Sequence, residues 1–161
     1  MSGEPNRSAT TTPTPLTALM AEHLCTKLIA LDAPYVREGL LEPWVRDNYA
    51  VPLPDKDLLS AVMLSEGEPL GYRIVSGRWK FERYAHAHRL VVGQDWRGRG
   101  IARTLLEYTH QLAAEQGYIG ITAQTGPRNY RMKRILLAAG YQKVESGVSE
   151  NLLYALSFES R

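Results

Sequence analysis

Two glycines set one residue apart, where an apolar run gives way to an amphipathic one, constrain this chain more than any other feature. The segment Arg97-Gly98-Arg99-Gly100-Ile101-Ala102 follows Leu90-Val91-Val92. Gly98 and Gly100 let the backbone turn tightly and approach a ligand with no Cβ in the way. A helix opening at Ile101 directs its unpaired N–H groups, and the positive end of its dipole, into that turn. A strand, glycine turn and helix in this order bind phosphate or pyrophosphate.

The rest of the chain reads around this junction. Residues 1–14 are Ser/Thr/Pro-rich and poor in apolar side chains, which predicts a disordered tail. From Leu16 apolar residues recur at three- and four-residue steps through Leu28, one stripe of a helix. Pro34 should interrupt that helix or begin another, with a short helix over Val36–Leu41 ended by Pro43. Leu59–Ser65, the Glu66-Gly67-Glu68 turn and Leu70–Val75 read as a hairpin. A longer strand runs from Ala85 to Val92, and a helix from Ile101 to about Gln116 buries 101, 105, 108 and 112 before a left-handed stop at Gly117. A strand over Tyr118–Ala123 precedes a helix begun by Gly126-Pro127 and ended by Gly140, with Met132, Ile135, Leu136 and Ala139 on its apolar face. Tyr141–Ser146 and Leu152–Phe158 complete the pattern as strands. This order predicts an α/β fold, a mixed sheet with helices on both faces.

Composition excludes several function classes. A length of 161 residues suits one domain with a real core. A formal charge of +2 by itself excludes neither nucleic acid nor acidic partners, but no Lys/Arg block of the kind that marks a polyanion binder is present, and no nucleic-acid partner is expected. Cys25 is the single cysteine, so neither an intrachain disulfide nor a cysteine-based zinc site can form. No run approaches the roughly 18 apolar residues of a membrane span, and no signal-peptide pattern is visible. A cytoplasmic protein with no membrane partner is the expectation.

The glycine turn lacks the Lys-Ser/Thr that would end a Walker loop. The next strand, Tyr118–Ala123, carries no acidic residue for a Rossmann ribose contact. The residues instead resemble the GNAT acetyltransferases. That family's pyrophosphate motif, Arg/Gln-x-x-Gly-x-Gly/Ala, is met by Arg97, Gly100 and Ala102, with Trp96 where an aromatic is usual. A second motif agrees: Asn129, then Gly140 and Tyr141 eleven and twelve residues later. The resemblance spans about Ala85–Val144, weakens over 58–84 and 145–158, and is absent before residue 50.

The resemblance implies a GNAT fold over residues 15–161, with a central sheet of about six or seven strands, and acetyl-CoA as co-substrate. The coenzyme's arm would lie against the backbone of Leu90, Val91 and Val92, where neighbouring strands splay apart. Its pyrophosphate would take N–H bonds from Arg97, Gly98, Arg99, Gly100, Ile101 and Ala102, and Asn129 would hydrogen-bond the arm. Read as structure alone, the glycine turn packs a helix on a sheet and Asn129 caps a helix.

Acetyl transfer to an amine needs a base for the ammonium and N–H donors at the developing oxyanion, such as the Val92 amide. Where the family often has a Glu, this chain has His86 and His88, which at i and i+2 share a strand face. A neutral imidazole suits proton removal near pH 7, and His86 matches the more frequent Glu position. Two histidines without a third ligand do not make a metal site. The family's thiolate acid is a tyrosine seven residues after the Asn, and here that position is Leu136. Tyr130 and Tyr141 are the nearest substitutes.

Arg128, Arg131, Lys133 and Arg134 give a basic helix start that reads mainly as a solvated face and secondarily as a phosphate contact. Trp44, Tyr49, Trp79, Phe81 and Tyr84 fall on segments that flank the acceptor cleft in the family, where core packing explains some of them equally well. The reading is therefore an N-acetyltransferase using direct attack on acetyl-CoA, with a small-molecule amine as acceptor. A protein N-terminus or lysine is the alternative acceptor, and a non-catalytic acyl-CoA module the alternative of another class. A homodimer through the terminal strands or first helices is compatible with the sequence.

Overall fold

The computed structural model describes residues 12–44, 48, 52–77, 83–144 and 151–158. Tyr49, Trp79, Phe81 and most of the expected N-terminal tail lie outside them. Helix α1 (Ala18–Arg37) starts on Thr17, whose hydroxyl accepts from the Met20 amide at 3.2 Å. Ala21, Leu24, Cys25, Leu28, Asp32 and Tyr35 form its buried stripe. Pro34 does not interrupt it, contrary to expectation. The proline sits in the last turn, where Glu38 still donates to its carbonyl (3.1 Å) and the buried Tyr35 anchors the turn. Residues 38–41 are accordingly a turn and not a second helix.

Pro13–Pro15 form strand β1, paired antiparallel with β2 (Ala61–Ser65). Residues 13 and 14 are thus ordered in the sheet, where a tail was expected. β1 is an edge strand, the place where a proline's missing N–H leaves no ladder bond unmade. Residues 56–59 open a short helix, α2 (Lys56–Leu59), in place of the expected strand start. Strand β3 (Glu68–Ser76) returns from β2 through Glu66 and Gly67, both at positive φ (51° and 81°), a two-residue turn matching the sheet's twist.

Strand β4 (Tyr84–Val92) leads through the glycine turn to α3 (Ile101–Glu115), β5 (Gly120–Thr125), α4 (Tyr130–Ala138), β6 (Gln142–Val144) and β7 (Leu152–Ser157). Among the described residues seven strands lie in the order β1-β2-β3-β4-β5-β7-β6, and of their pairings only β4 with β5 is parallel. The expected mixed sheet is therefore observed. The stripe of α3 differs from expectation: Thr109 and Ala113 are buried, whereas Tyr108 and Leu112 are only partly so. Thr109 turns inward because it accepts a hydrogen bond from the buried Arg73. α4 begins at Tyr130 and not at Pro127, because the Asn129 side chain caps it by accepting from the Met132 amide at 3.1 Å.

Helix α1 covers one face of the sheet with Val62, Tyr72, Ile74 and Val91 beneath it. The other face carries α3, over Ala61, Met63 and Val92. A buried ion pair ties α1 to the sheet: Arg89 Nη2 to Asp32 Oδ2, 3.0 Å, both side chains 3% exposed. Tyr72 donates to the other Asp32 oxygen at 2.6 Å, and Arg89 also donates to the Glu42 carbonyl at 2.7 Å. Arg89 Nε donates to the Tyr72 hydroxyl at 3.2 Å, and these bonds offset the cost of burying the pair. Asp32→Ala leaves Arg89 buried without a counter-ion and should cost about 3–5 kcal/mol, read as a lower midpoint in urea denaturation.

Candidate active site

β4 runs beside β5 for only four residue pairs, from Tyr84↔Gly120 to Ala87↔Ala123. Both strands continue beyond that point, but their ladder does not. β4 stays paired with β3, and β5 stays paired with β7 as far as Thr125. The gap between them is bordered by backbone groups. Gly93 donates to the Leu70 carbonyl (2.8 Å), so Gly71↔Val92 and Arg73↔Leu90 are non-bonded pairs of the β3–β4 ladder. The N–H and C=O of Leu90 and Val92 therefore point away from β3, into the gap.

A bulge re-aims β4 at the same place. The register passes from Ile74↔Arg89 to Val75↔Ala87, leaving His88 as the extra residue. His86 and His88 do share a face, with rings in edge-to-face contact at 4.9 Å between centroids. Their surroundings differ. His86 is buried, with Nδ1 2.7 Å from Thr122 Oγ1, and lines none of the cavities described below. His88 lines the gap, with Nε2 2.6 Å from Ser76 Oγ. When Nε2–H donates to Ser76, the lone pair lies on Nδ1. Burial holds the His88 imidazole below its ordinary range, and the Lys56 ammonium pushes it the same way.

At the other end of the groove, α3 starts at Gly100 without a side-chain cap. Its first intrahelical bond is Thr104 N–H to the Gly100 carbonyl, 3.0 Å, so the Ile101, Ala102 and Arg103 amides precede the ladder. Gly98 and Gly100 have φ of 75° and 79°, the left-handed region, and open space beside each α-carbon. A cavity of about 760 Å³ lies between α3 and α4, lined by Arg97, Arg103, Arg131 and Arg134 among others. It adjoins a second space of about 210 Å³ through Val92, Arg97 and Arg131, which adjoins a third of about 230 Å³ through Leu90, Asn129 and Met132. The third reaches His88. One groove thus runs from the uncapped helix start to the bulge.

Asn129 caps α4, the structural reading of that position, and also lines the inner part of the groove. Arg131 and Arg134 face the outer cavity. Arg128 is exposed, and Lys133 stacks over the Tyr130 ring at 4.6 Å. Only part of the basic helix start is therefore a solvated face.

The sequence profile of the Acetyltransferase (GNAT) family matches residues 22–141. The chain belongs to the GNAT acetyltransferase family. Its match begins at residue 22, so α1 is part of the family domain, although the motif-based resemblance ended at residue 50. A search of curated proteins finds no match. Among solved structures, the chain is similar to an acetyltransferase from Thermus thermophilus, at 20% identity over 92% of this chain and 98% of that one, TM-score 0.70. It is also similar to the diaminobutyrate acetyltransferase of Paenibacillus lautus, in complex with L-2,4-diaminobutyric acid and coenzyme A (15% identity, 91% and 94% covered, TM-score 0.72). A third is the ribosomal-protein-S18-alanine N-acetyltransferase of Escherichia coli (14%, 92% and 94%, TM-score 0.70).

At the position where many GNAT proteins carry a tyrosine, Leu136 is 1% exposed, packed in the core and bordering the inner cavity. Neither substitute is near it in function. Tyr130 is exposed, and the buried Tyr141 hydroxyl is engaged by Arg73 and His110. Motif reasoning missed Tyr35 altogether. Its hydroxyl donates to the Val92 carbonyl (2.5 Å) and accepts from Arg97 Nε (2.9 Å) and Arg131 Nη1 (3.1 Å), so α1 reaches the centre of the groove. The one usable signal was its place on the i, i+4, i+7 stripe of α1. Trp44 stacks on the Arg89 guanidinium (4.6 Å to the ring centroid) and lines the inner cavity, both core and wall.

Replacing Gly100 by Ala forces an L side chain into the left-handed region, at about 1–2 kcal/mol. With open space at that α-carbon, the loss should appear as a lower denaturation midpoint with an unchanged m-value.

Proposed function

We propose that this GNAT protein transfers the acetyl group of acetyl-CoA to a small-molecule amine, with His88 as the base. The observation that carries the reading is the single groove joining an uncapped, arginine-lined helix start to an imidazole held neutral at a strand bulge. Coenzyme A bound to a protein of the same fold supports the donor.

The residues present fit the coenzyme. The free amides of Ile101, Ala102 and Arg103 would hold its pyrophosphate, with Arg97, Arg131 and Arg134 as counter-charges. The gap-facing amides and carbonyls of Leu90 and Val92 offer strand-like hydrogen bonds to an amide-containing arm, and Asn129 stands beside them. When bound, the coenzyme supplies an acetyl thioester.

The protein's own part follows from the geometry. His88 Nδ1 takes the proton of the acceptor ammonium, which frees the nitrogen lone pair for attack. Nε2–H to Ser76 Oγ fixes the ring, and the edge of His86 steadies it. His86 ranked first on motif position, but its burial and bond to Thr122 suit it to this supporting part. Leu90, two residues from His88, borders the inner cavity with it, and Val92 does not. Leu90 is accordingly the oxyanion donor, and Val92 serves the coenzyme arm. The inner cavity, walled by Leu40, Leu41 and Trp44, has the size for a small amine.

A screen of amines for free-thiol release from acetyl-CoA tests the reading directly. Acetylation of protein N-termini or lysines with no small amine turned over would overturn the acceptor assignment. Binding of acetyl-CoA without turnover of any amine would leave a non-catalytic module. His88→Ala should lower kcat/KM by about 10²–10⁴-fold with acetyl-CoA affinity unchanged, and His86→Ala by less.

The pH profile follows with a definite sign. The base works deprotonated, and its lowered pKa keeps it so at pH 7. The acid limb of kcat/KM should therefore fall below about 6.5, the ordinary histidine value. Lys56→Met removes a charge that disfavours the imidazolium, and should move that limb to higher pH. An unmoved limb would exclude His88 as the titrating group.

A further inference from the structure

Arg73 stands on β3 opposite Leu90, on the face that packs against α3, and is 1% exposed. Its Nη1 donates to Thr109 Oγ1 (2.8 Å) and its Nη2 to the Tyr141 hydroxyl (2.9 Å), while Nε–H has no partner. Both acceptors are neutral. Thr109 passes its own proton to the Leu105 carbonyl at 2.8 Å, and the Tyr141 oxygen lies 2.7 Å from His110 Nε2. Among the described residues, no carboxylate pairs with Arg73. Arginine does not give up its charge in a protein. A full positive charge is therefore kept in the interior with no counter-ion and an idle donor, a costly arrangement. Arg89, on the other face of the same sheet, shows the usual solution in Asp32.

Buried as it is, Arg73 still borders the groove. Arg73 forms part of the inner cavity wall together with Leu90 and Leu136. It lies on the α3 side of the sheet, where the groove arrives from the helix start, whereas His88 lies on the α1 side. Leu136 occupies the position at which the family resemblance implies a tyrosine that protonates the departing sulfur, and leucine has no proton to give.

We propose that Arg73 takes over this task as a charge and not as an acid, stabilising the coenzyme sulfur as it departs as a thiolate. The inference rests on the acetyl-CoA reading of the groove. As the acceptor nitrogen's lone pair forms the C–N bond, the C–S pair passes to sulfur. His88, having passed the ammonium's proton on to solvent, takes the second proton that the nitrogen sheds on becoming an amide, and Arg73 holds the resulting thiolate until solvent protonates it. A positive charge facing the sulfur lowers a thiol's pKa in the same way.

The experiment compares calorimetric binding of coenzyme A with that of desulfo-coenzyme A, which lacks the sulfur, from about pH 6 to about pH 9. The proteins are the wild type, Arg73→Met and Arg73→Lys, each checked for folding by circular dichroism. In the wild type, coenzyme A should gain affinity over the desulfo compound as pH rises, about tenfold for each unit by which the site lowers the thiol pKa. Thiolate ultraviolet absorbance should appear in the complex below the pH at which free coenzyme A ionises. Arg73→Met should abolish the gain while binding desulfo-coenzyme A within about twofold of wild type, and Arg73→Lys should retain part of it. Parallel pH dependence of the two ligands in the wild type, or an undiminished gain in Arg73→Met, would overturn the proposal. Should Arg73→Met not fold, the wild-type comparison and Arg73→Lys carry the result. Failure of the wild type to bind either ligand defeats the acetyl-CoA reading itself, and equal behaviour of both ligands defeats only the role of Arg73.

Discussion

The ladder between β4 and β5 ends after Ala87↔Ala123, and the site depends on that loss of pairing. Parallel strands in the middle of a sheet normally satisfy each other's backbone groups on both sides. Here the N–H and C=O of Leu90 and Val92 are left facing a groove, ready for a ligand that presents peptide-like groups. The strands can part without unravelling because each is held on its far side, β4 by β3 and β5 by β7. Tyr35 covers the Val92 carbonyl from α1, so the exposed edge is not left wholly without partners.

The electrostatics divide along the same line. On the α1 face, Arg89 is neutralised by Asp32 and clasps the Glu42 carbonyl, which draws residues 40–44 over the inner cavity. On the α3 face, Arg73 has only hydroxyl partners among the described residues. One arginine organises the cavity wall on the α1 side, and the other leaves a charge without a carboxylate partner, among the described residues, on the α3 side.

Much of this was legible in the chain. The order of elements, the glycine turn and the Asn129–Gly140 step depend on local backbone chemistry, and local chemistry is written in neighbouring residues. Pro34 misled because a proline's effect depends on whether the turn around it is anchored, and Tyr35 is anchored by Val92, far along the sequence. Pro13–Pro15 look like tail material until a partner edge is available. Spacing does not distinguish His86 from His88, since both share a face, and it is the fold that buries one against Thr122 and sets the other at the groove beside Ser76. Tyr35 and Arg73 carry no motif at all. One is a stripe residue of α1 and the other a charge in an otherwise apolar strand, and their meaning comes from what the fold sets opposite them.

The bulge at His88 has a consequence for how β4 can change over time. Ala85 and Ala87 face α3 on one side of it, Leu90 and Val92 on the other, so the pleat keeps its phase only by skipping one residue. Removing residue 88 would restore plain alternation and leave every other side chain on its present face. Removing a residue closer to either end would turn the stretch between that site and the strand's nearer terminus inside out. Position 88 is thus the one place in the strand where length is negotiable, and an imidazole occupies it. Drift in β4 can therefore remove this imidazole from the groove while the faces of the remaining β4 side chains are kept.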